Sequence, residues 1–114
     1  MSDKIGELKA QHLIQLKNEL ERIKKKLIEL GAQKIILFGS GARDELGLLS
    51  DIDLIVIIPS NKTYIERSQE IYKKIQPSEV DLLIYTPKEF EHMKENNLFI
   101  QHILKEGKIL FETA

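Results

Sequence analysis

The sequence predicts an α/β fold of the α+β type, in which a small mixed β-sheet is flanked by helices. Three short apolar runs, 34–38, 51–58 and 80–85, have the length and β-branched composition of buried strands. A long amphipathic segment precedes the first run, and a helix-length segment separates the second run from the third. Such a helical connection is typical of a parallel crossover, which makes a mixed sheet the expected arrangement.

The elements follow in order from the spacing of apolar residues and from capping signals. Residues 5–30 predict one long amphipathic helix, because apolar residues recur every three or four positions and Gly31 follows as a C-terminal stop. Thr63 is the expected N-cap of a later helix, and Pro87 stands at the first position of another. The expected elements after the first helix are strand 34–38, a short helix 42–46, strand 51–58, helix 63–74, strand 80–85, helices 87–94 and 98–105, and a closing strand 108–111.

Composition limits the class of protein. The 114 residues are expected to form a single domain, residues 1–114, and the formal net charge of −1 argues against direct nucleic-acid binding through a strongly basic face. The absence of cysteine excludes disulfides and thiolate metal sites. Neither a signal-peptide core nor an apolar run of about 20 residues is present, so a soluble cytoplasmic protein without membrane contact is expected.

The order of strands and connections predicts a site at one end of the sheet. If strands 34–38 and 51–58 pair antiparallel, Gly39 and Ser40 lie beside Asp51 and Asp53. A parallel third strand then brings Asp81 next to the beginning of the second strand. Asp51 and Asp53 point to one face of their strand, where two like charges repel unless a cation lies between them.

Each residue at that end has a chemical use. Gly39 and Gly41 allow backbone N–H groups to approach a phosphate, and Ser40 can donate its hydroxyl. Arg43 can neutralise phosphate charge. Carboxylate oxygens are the ligands that Mg²⁺ prefers, so the acids Asp51, Asp53 and Asp81 are candidates to hold two Mg²⁺ ions that activate a hydroxyl and steady a leaving pyrophosphate.

Gly39-Ser40, separated by ten residues from Asp51-x-Asp53, resembles the signature of the polymerase-β-like nucleotidyltransferase superfamily. Ser-Asp-Ile-Asp-Leu at 50–54, Asp81 within Val-Asp-Leu-Leu-Ile, and the segment 103–111 are similar to the stand-alone minimal nucleotidyltransferases (MNT). The resemblance implies the nucleotidyltransferase fold, with Asp51, Asp53 and Asp81 as catalytic metal ligands. It also implies transfer of a nucleoside monophosphate, AMP from ATP or from another NTP, to a hydroxyl.

Members of this kind often serve as the antitoxin of a toxin–antitoxin pair whose partner is a helical HEPN-class toxin. By that resemblance the acceptor is a tyrosine of the partner toxin. Because the chain has no second domain to hold an acceptor, a partner chain or a dimer mate is expected to complete the active site. Tyr85 and Phe90, which follow the third strand, are candidates to border the base pocket.

Two other functions deserve comparison with the enzyme hypothesis. A binding module that has kept the fold but lost the chemistry would neutralise or scaffold its partner, yet such a scaffold has no need of three converging acids. A dinucleotide-binding protein is suggested by Gly39-x-Gly41 after a strand, but Asp44 stands where that motif needs Gly or Ala. A Walker loop is absent, because no Gly-Lys-Ser/Thr occurs.

Overall fold

A computed structural model of the chain describes residues 4–38 and 52–113. Within them every predicted helix and strand is present, with ends shifted by two residues at most. The predicted short helix 42–46 lies outside the described residues. The elements are α1 Lys4–Glu29, β1 Lys34–Phe38, β2 Ile52–Ile57, α2 Tyr64–Ile75, β3 Val80–Tyr85, α3 Pro87–Asn96, α4 Leu98–Glu106 and β4 Lys108–Glu112.

The four strands form one mixed sheet in the order β3-β2-β1-β4. Strand β1 pairs antiparallel with β2 and with β4, whereas β2 and β3 are parallel and connected through α2. Both predicted strand directions are therefore confirmed. Strands β3 and β4 are at the two edges of the sheet.

Two apolar cores cover the two faces of the sheet. On one face α1 and α2 pack through side chains such as Leu16, Ile23 and Ile75. On the other face α3 and α4 pack through Phe90, Ile100 and Ile103. Side chains alternate between the faces along each strand, so Ile52 and Leu54 belong to the first core and Ile55 to the second. This alternation decides on which face each acid of the candidate site lies.

Local signals fix the ends of the helices. The Thr63 hydroxyl accepts a hydrogen bond from the Glu66 N–H at the start of α2. Thr86 and Glu89 form a reciprocal capping box at the start of α3, directly after β3 ends. Gly31 has a φ of 104° after α1, a conformation that side-chain-bearing residues rarely adopt. The caps place the first turns of α2 and α3 next to the ends of β2 and β3.

The first half of α1 extends past the core. Leu8 is 60% exposed, whereas Leu16, Ile23 and Leu27 are buried. The apolar stripe predicted along the whole helix is therefore used for packing mainly in its second half. Although α1 is long, neither it nor any other helix in the described residues is apolar enough over sufficient length to cross a membrane.

Candidate functional site

Asp53 of β2 and Asp81 of β3 lie directly beside each other. The parallel register pairs Ile52 with Val80 and Asp53 with Asp81, so both acids point to the same face. Neighbouring strands are about 4.8 Å apart, a spacing at which one cation can contact both carboxylates. Asp53 is half-buried and Asp81 is exposed on the edge strand. The prediction that the crossover would bring these two acids together is confirmed.

A phenylalanine continues the same row across the sheet. Phe38, the last residue of β1, is the register partner of Asp53 on its other side. The Phe38 ring meets the Phe99 ring of α4 edge to face, with centroids 5.8 Å apart. Leu98 and Phe99 remain 82% and 52% exposed. The acid pair thus borders an exposed apolar surface formed by the start of α4, a neighbour that the sequence analysis did not predict.

The remaining predicted site residues lie outside the described residues. These are the phosphate-loop residues Gly39, Ser40 and Gly41, the cation Arg43, and the first acid, Asp51. Their predicted positions follow from the chain: Gly39 comes directly after β1, and Asp51 directly precedes β2. Their roles stay predictions.

Asp53 and Asp81 suit a hard divalent cation whose remaining ligands include groups from outside the protein. Within residues 4–38 and 52–113, no group of three His, Cys, Asp or Glu could hold a metal ion. Mg²⁺ is commonly held by one or two protein carboxylates together with substrate phosphates and water. Asp53 and Asp81 fit that donor set, with Asp51 as the additional predicted ligand.

Tyr85 and Phe90 lie at the other end of the sheet from the acids. Tyr85 is four residues beyond Asp81 along β3, a distance of about 13 Å at the rise of a strand. Phe90 is 3% exposed and packs in the second core, close to Lys34 at the far end of β1. The expectation that these two rings border a base pocket at the acid pair is wrong, because the chain reaches α3 only after β3 has crossed the sheet.

A buried arginine organises that far end. Arg67 of α2 is 3% exposed; its Nε donates to the Ile84 carbonyl at 3.1 Å and an Nη donates to the Lys62 carbonyl at 3.0 Å. Its other Nη donates to Glu89 of α3. Burial works to raise the pKa of Glu89, but hydrogen bonds from Arg67 and the Thr86 N–H outweigh it and hold that pKa below its usual value.

Arg67 was not predicted from the sequence, because one arginine in a polar helix resembles any surface cation. A weak signal was available, since Arg67 lies four residues before Ile71 and eight before Ile75, on the apolar side of α2. Sequence spacing indicates that such a residue faces the core. The hydrogen-bond acceptors in β3 and α3 that compensate for its burial come close to Arg67 only in the folded chain.

Comparison with known proteins identifies the class to which this fold and acid pair belong. The family model of the nucleotidyltransferase domain matches residues 17–110, and the chain therefore belongs to the nucleotidyltransferase domain family. Membership implies, in general terms, an NTP substrate and a divalent metal ion. None of the curated proteins matches the chain significantly.

Solved structures resemble the chain at low sequence identity. One is a protein of Sulfolobus solfataricus assigned as a nucleotidyltransferase, 15% identical, with a TM-score of 0.53 over 85% of this chain and 86% of that chain. A second is a chain in the structure of tri-AMPylated Shewanella oneidensis HEPN toxin in complex with MNT antitoxin. It is 23% identical, with a TM-score of 0.45 over 83% of this chain and 73% of that chain. The first likeness shows the nucleotidyltransferase fold.

Proposed function

We propose that this chain is a Mg²⁺-dependent nucleotidyltransferase that moves AMP from ATP to a hydroxyl of a partner protein. The observation that carries the proposal is the in-register placement of Asp53 beside Asp81, on one face, in a chain of this family. The two acids come from different strands, and they belong to the residue set that the sequence signature marks as metal ligands.

The difference in exposure between the acids suggests a division of roles. Half-buried Asp53, with the predicted ligand Asp51, would hold the cation on the nucleotide phosphates, where Mg²⁺ supplies charge stabilisation. Exposed Asp81 lies on the edge strand, where an acceptor can approach from solvent. The acceptor oxygen forms a bond to the α-phosphorus, the bond from that phosphorus to its bridging oxygen breaks, and pyrophosphate leaves. The acceptor proton passes to the Asp81 carboxylate.

The proposed acceptor is a tyrosine of a HEPN-class toxin, for which the chain would act as antitoxin. This choice rests on the resemblance of residues 50–54 to the minimal nucleotidyltransferases. The exposed apolar surface of Leu98 and Phe99 beside the acids is compatible with a protein acceptor, because an apolar rim favours contact with another folded surface.

The test is transfer of label from α-³²P-ATP in the presence of Mg²⁺, with and without the product of the adjacent gene. Mass spectrometry of both proteins then identifies the modified residue. We expect an added AMP on a partner tyrosine, and loss of label with EDTA, with Asp81→Asn, and with the double variant Asp51→Asn, Asp53→Asn. Glu95→Gln, which neutralises an exposed acid of α3, is the matched control and keeps full transfer.

Circular dichroism checks that each variant folds, so that loss of label reports chemistry rather than unfolding. Transfer that persists in the folded acid variants would refute the metal-site assignment. Label on a partner residue other than tyrosine would refute the acceptor class and leave the nucleotidyltransferase assignment standing.

A further inference from the structure

We propose a second ligand site at the end of the sheet opposite the acid pair, taking an anionic ligand with a planar aromatic body of mononucleotide size. The site is an open cleft of about 700 Å³ between the first turns of α2 and α3, hereafter the far-end cleft. Its walls include Tyr64, Tyr85, Arg67, Lys88 and His92. The proposal does not depend on the proposed transferase activity.

The size and position of the far-end cleft suit a small molecule. Ligand pockets commonly measure roughly 300–1,000 Å³, so a cavity of about 700 Å³ accommodates a nucleotide-sized molecule. The cleft lies beyond the carboxyl ends of the parallel strands β2 and β3, the edge of an α/β sheet where ligands commonly bind. The acids Asp53 and Asp81 are at the opposite ends of the same strands, about 13 Å away.

Two tyrosine rings provide a surface for a planar group. The Tyr64 and Tyr85 centroids are 5.6 Å apart and the rings are tilted by 35°. The Arg67 guanidinium lies over the Tyr64 ring at 5.4 Å, which fixes the ring from one side, while Tyr64 remains 38% exposed. An aromatic ring held in place and open to solvent is a stacking surface that costs little entropy to use.

The charge around the far-end cleft favours an anion. Arg67 is paired with Glu89 and Lys62 with Glu70, so those charges are balanced within the protein. Lys88 and His92 are exposed on α3, and neither side chain has an ion-pair partner among the described residues. Lys88 therefore adds an uncompensated positive charge to a cleft whose walls include two tyrosine rings. That combination matches a phosphate or carboxylate attached to a planar ring.

The probes are AMP, adenosine and inorganic phosphate, titrated in EDTA so that metal-dependent binding at the acid pair is suppressed. The readout is the aromatic NMR spectrum, which the chain makes simple because it has three tyrosines and no tryptophan. Tyr64 and Tyr85 line the far-end cleft, whereas the Tyr72 hydroxyl is hydrogen-bonded to the backbone of Leu82 in β3. Tyr72 therefore serves as the internal reference.

We expect AMP to shift the Tyr64 and Tyr85 resonances, to leave Tyr72 in place, and to bind more tightly than adenosine or phosphate. Lys88→Glu should weaken AMP binding roughly five- to tenfold by replacing attraction with repulsion. This variant adds an acid to the first turn of α3, which favours the helix, so weaker binding would not reflect unfolding. Lys25→Glu makes the same charge change on α1 and should have no effect.

The aromatic part of the proposal has its own pair of variants. Tyr64→Ala should weaken AMP binding about tenfold, and Tyr64→Phe should restore it because the ring is kept. Three results would overturn the proposal: no AMP-dependent shift of Tyr64 and Tyr85, equal affinity for AMP and inorganic phosphate, or binding that Asp53→Asn abolishes and Lys88→Glu leaves unchanged.

Discussion

Replacing Arg67 with methionine tests whether the buried guanidinium connects three elements of the fold. The substitution keeps most of the side-chain volume and removes the donors to Ile84, Lys62 and Glu89. Hydrogen bonds from a charged donor contribute roughly 1.5–3 kcal/mol each, and breaking a buried ion pair costs about 3–5 kcal/mol. The Glu89 side chain is 43% exposed and regains water when its partner is lost, so the lower part of these ranges applies.

We therefore expect the free energy of unfolding to fall by about 3 kcal/mol, a large share of the roughly 5–15 kcal/mol typical of a domain. With an m-value of about 1.5 kcal/mol/M, the urea midpoint measured by circular dichroism would fall by about 2 M. Lys25→Met is the control, because Lys25 is an exposed cation of α1 and its replacement should change the free energy of unfolding by less than about 0.5 kcal/mol.

A double-mutant cycle separates the Arg67–Glu89 ion pair from the rest of the contribution of Arg67 to stability. Arg67→Met, Glu89→Gln and the combined variant should give a coupling energy of about 1–2 kcal/mol between these two side chains. A loss below about 1 kcal/mol for Arg67→Met, or no difference from Lys25→Met, would show that Arg67 does not hold α2, β3 and α3 together.

Four further predictions concern stability. Gly107→Ala should cost about 1–3 kcal/mol by urea unfolding because the added Cβ would come within 2.5 Å of a backbone oxygen. Gly31→Ala, which has open space but a φ of 104°, should cost about 1–2 kcal/mol, and equal stability to the parent would refute the conformational argument. Tyr72→Phe should cost about 1 kcal/mol, since its hydroxyl both accepts from and donates to the β3 backbone, and no loss would show that water replaces it fully. Hydrogen bonds from Arg22 hold the pKa of Glu19 below its usual value, and at Glu89 those from Arg67 and the Thr86 N–H together outweigh burial and lower the pKa. The stabilisation from both carboxylates is therefore present above the usual carboxyl pKa and is lost as pH falls through the lowered values. Urea midpoints that stay level on acidification would contradict this assignment.

The sequence predicted the sheet well because the strands are bounded by local signals. The run at 34–38 is apolar and ends at Gly39, and the structure places β1 on those residues. The proximity of Asp53 and Asp81 was predictable because a helix between two strands is the usual connection of a parallel pair.

What the sequence could not predict depends on contacts between distant elements. Leu8 fits the helical stripe but is exposed, because periodicity does not say where the sheet beneath a helix ends. Phe99 and Phe38 are 61 positions apart and meet only after α4 folds back over the sheet. The burial of Arg67 depends on hydrogen-bond acceptors that β3 and α3 supply.

The parallel pairing of β2 with β3 also has a consequence for how the protein folds. The antiparallel pair β1–β2 needs no crossover, but Asp53 and Asp81 are 28 residues apart and meet only when α2 has formed and the chain has returned along the sheet. Closing such a long-range contact is slow compared with local helix formation. During refolding, the helical circular dichroism signal should recover before Asp53 and Asp81 come to lie side by side. The ability to engage a nucleotide would then be among the last properties that the chain acquires.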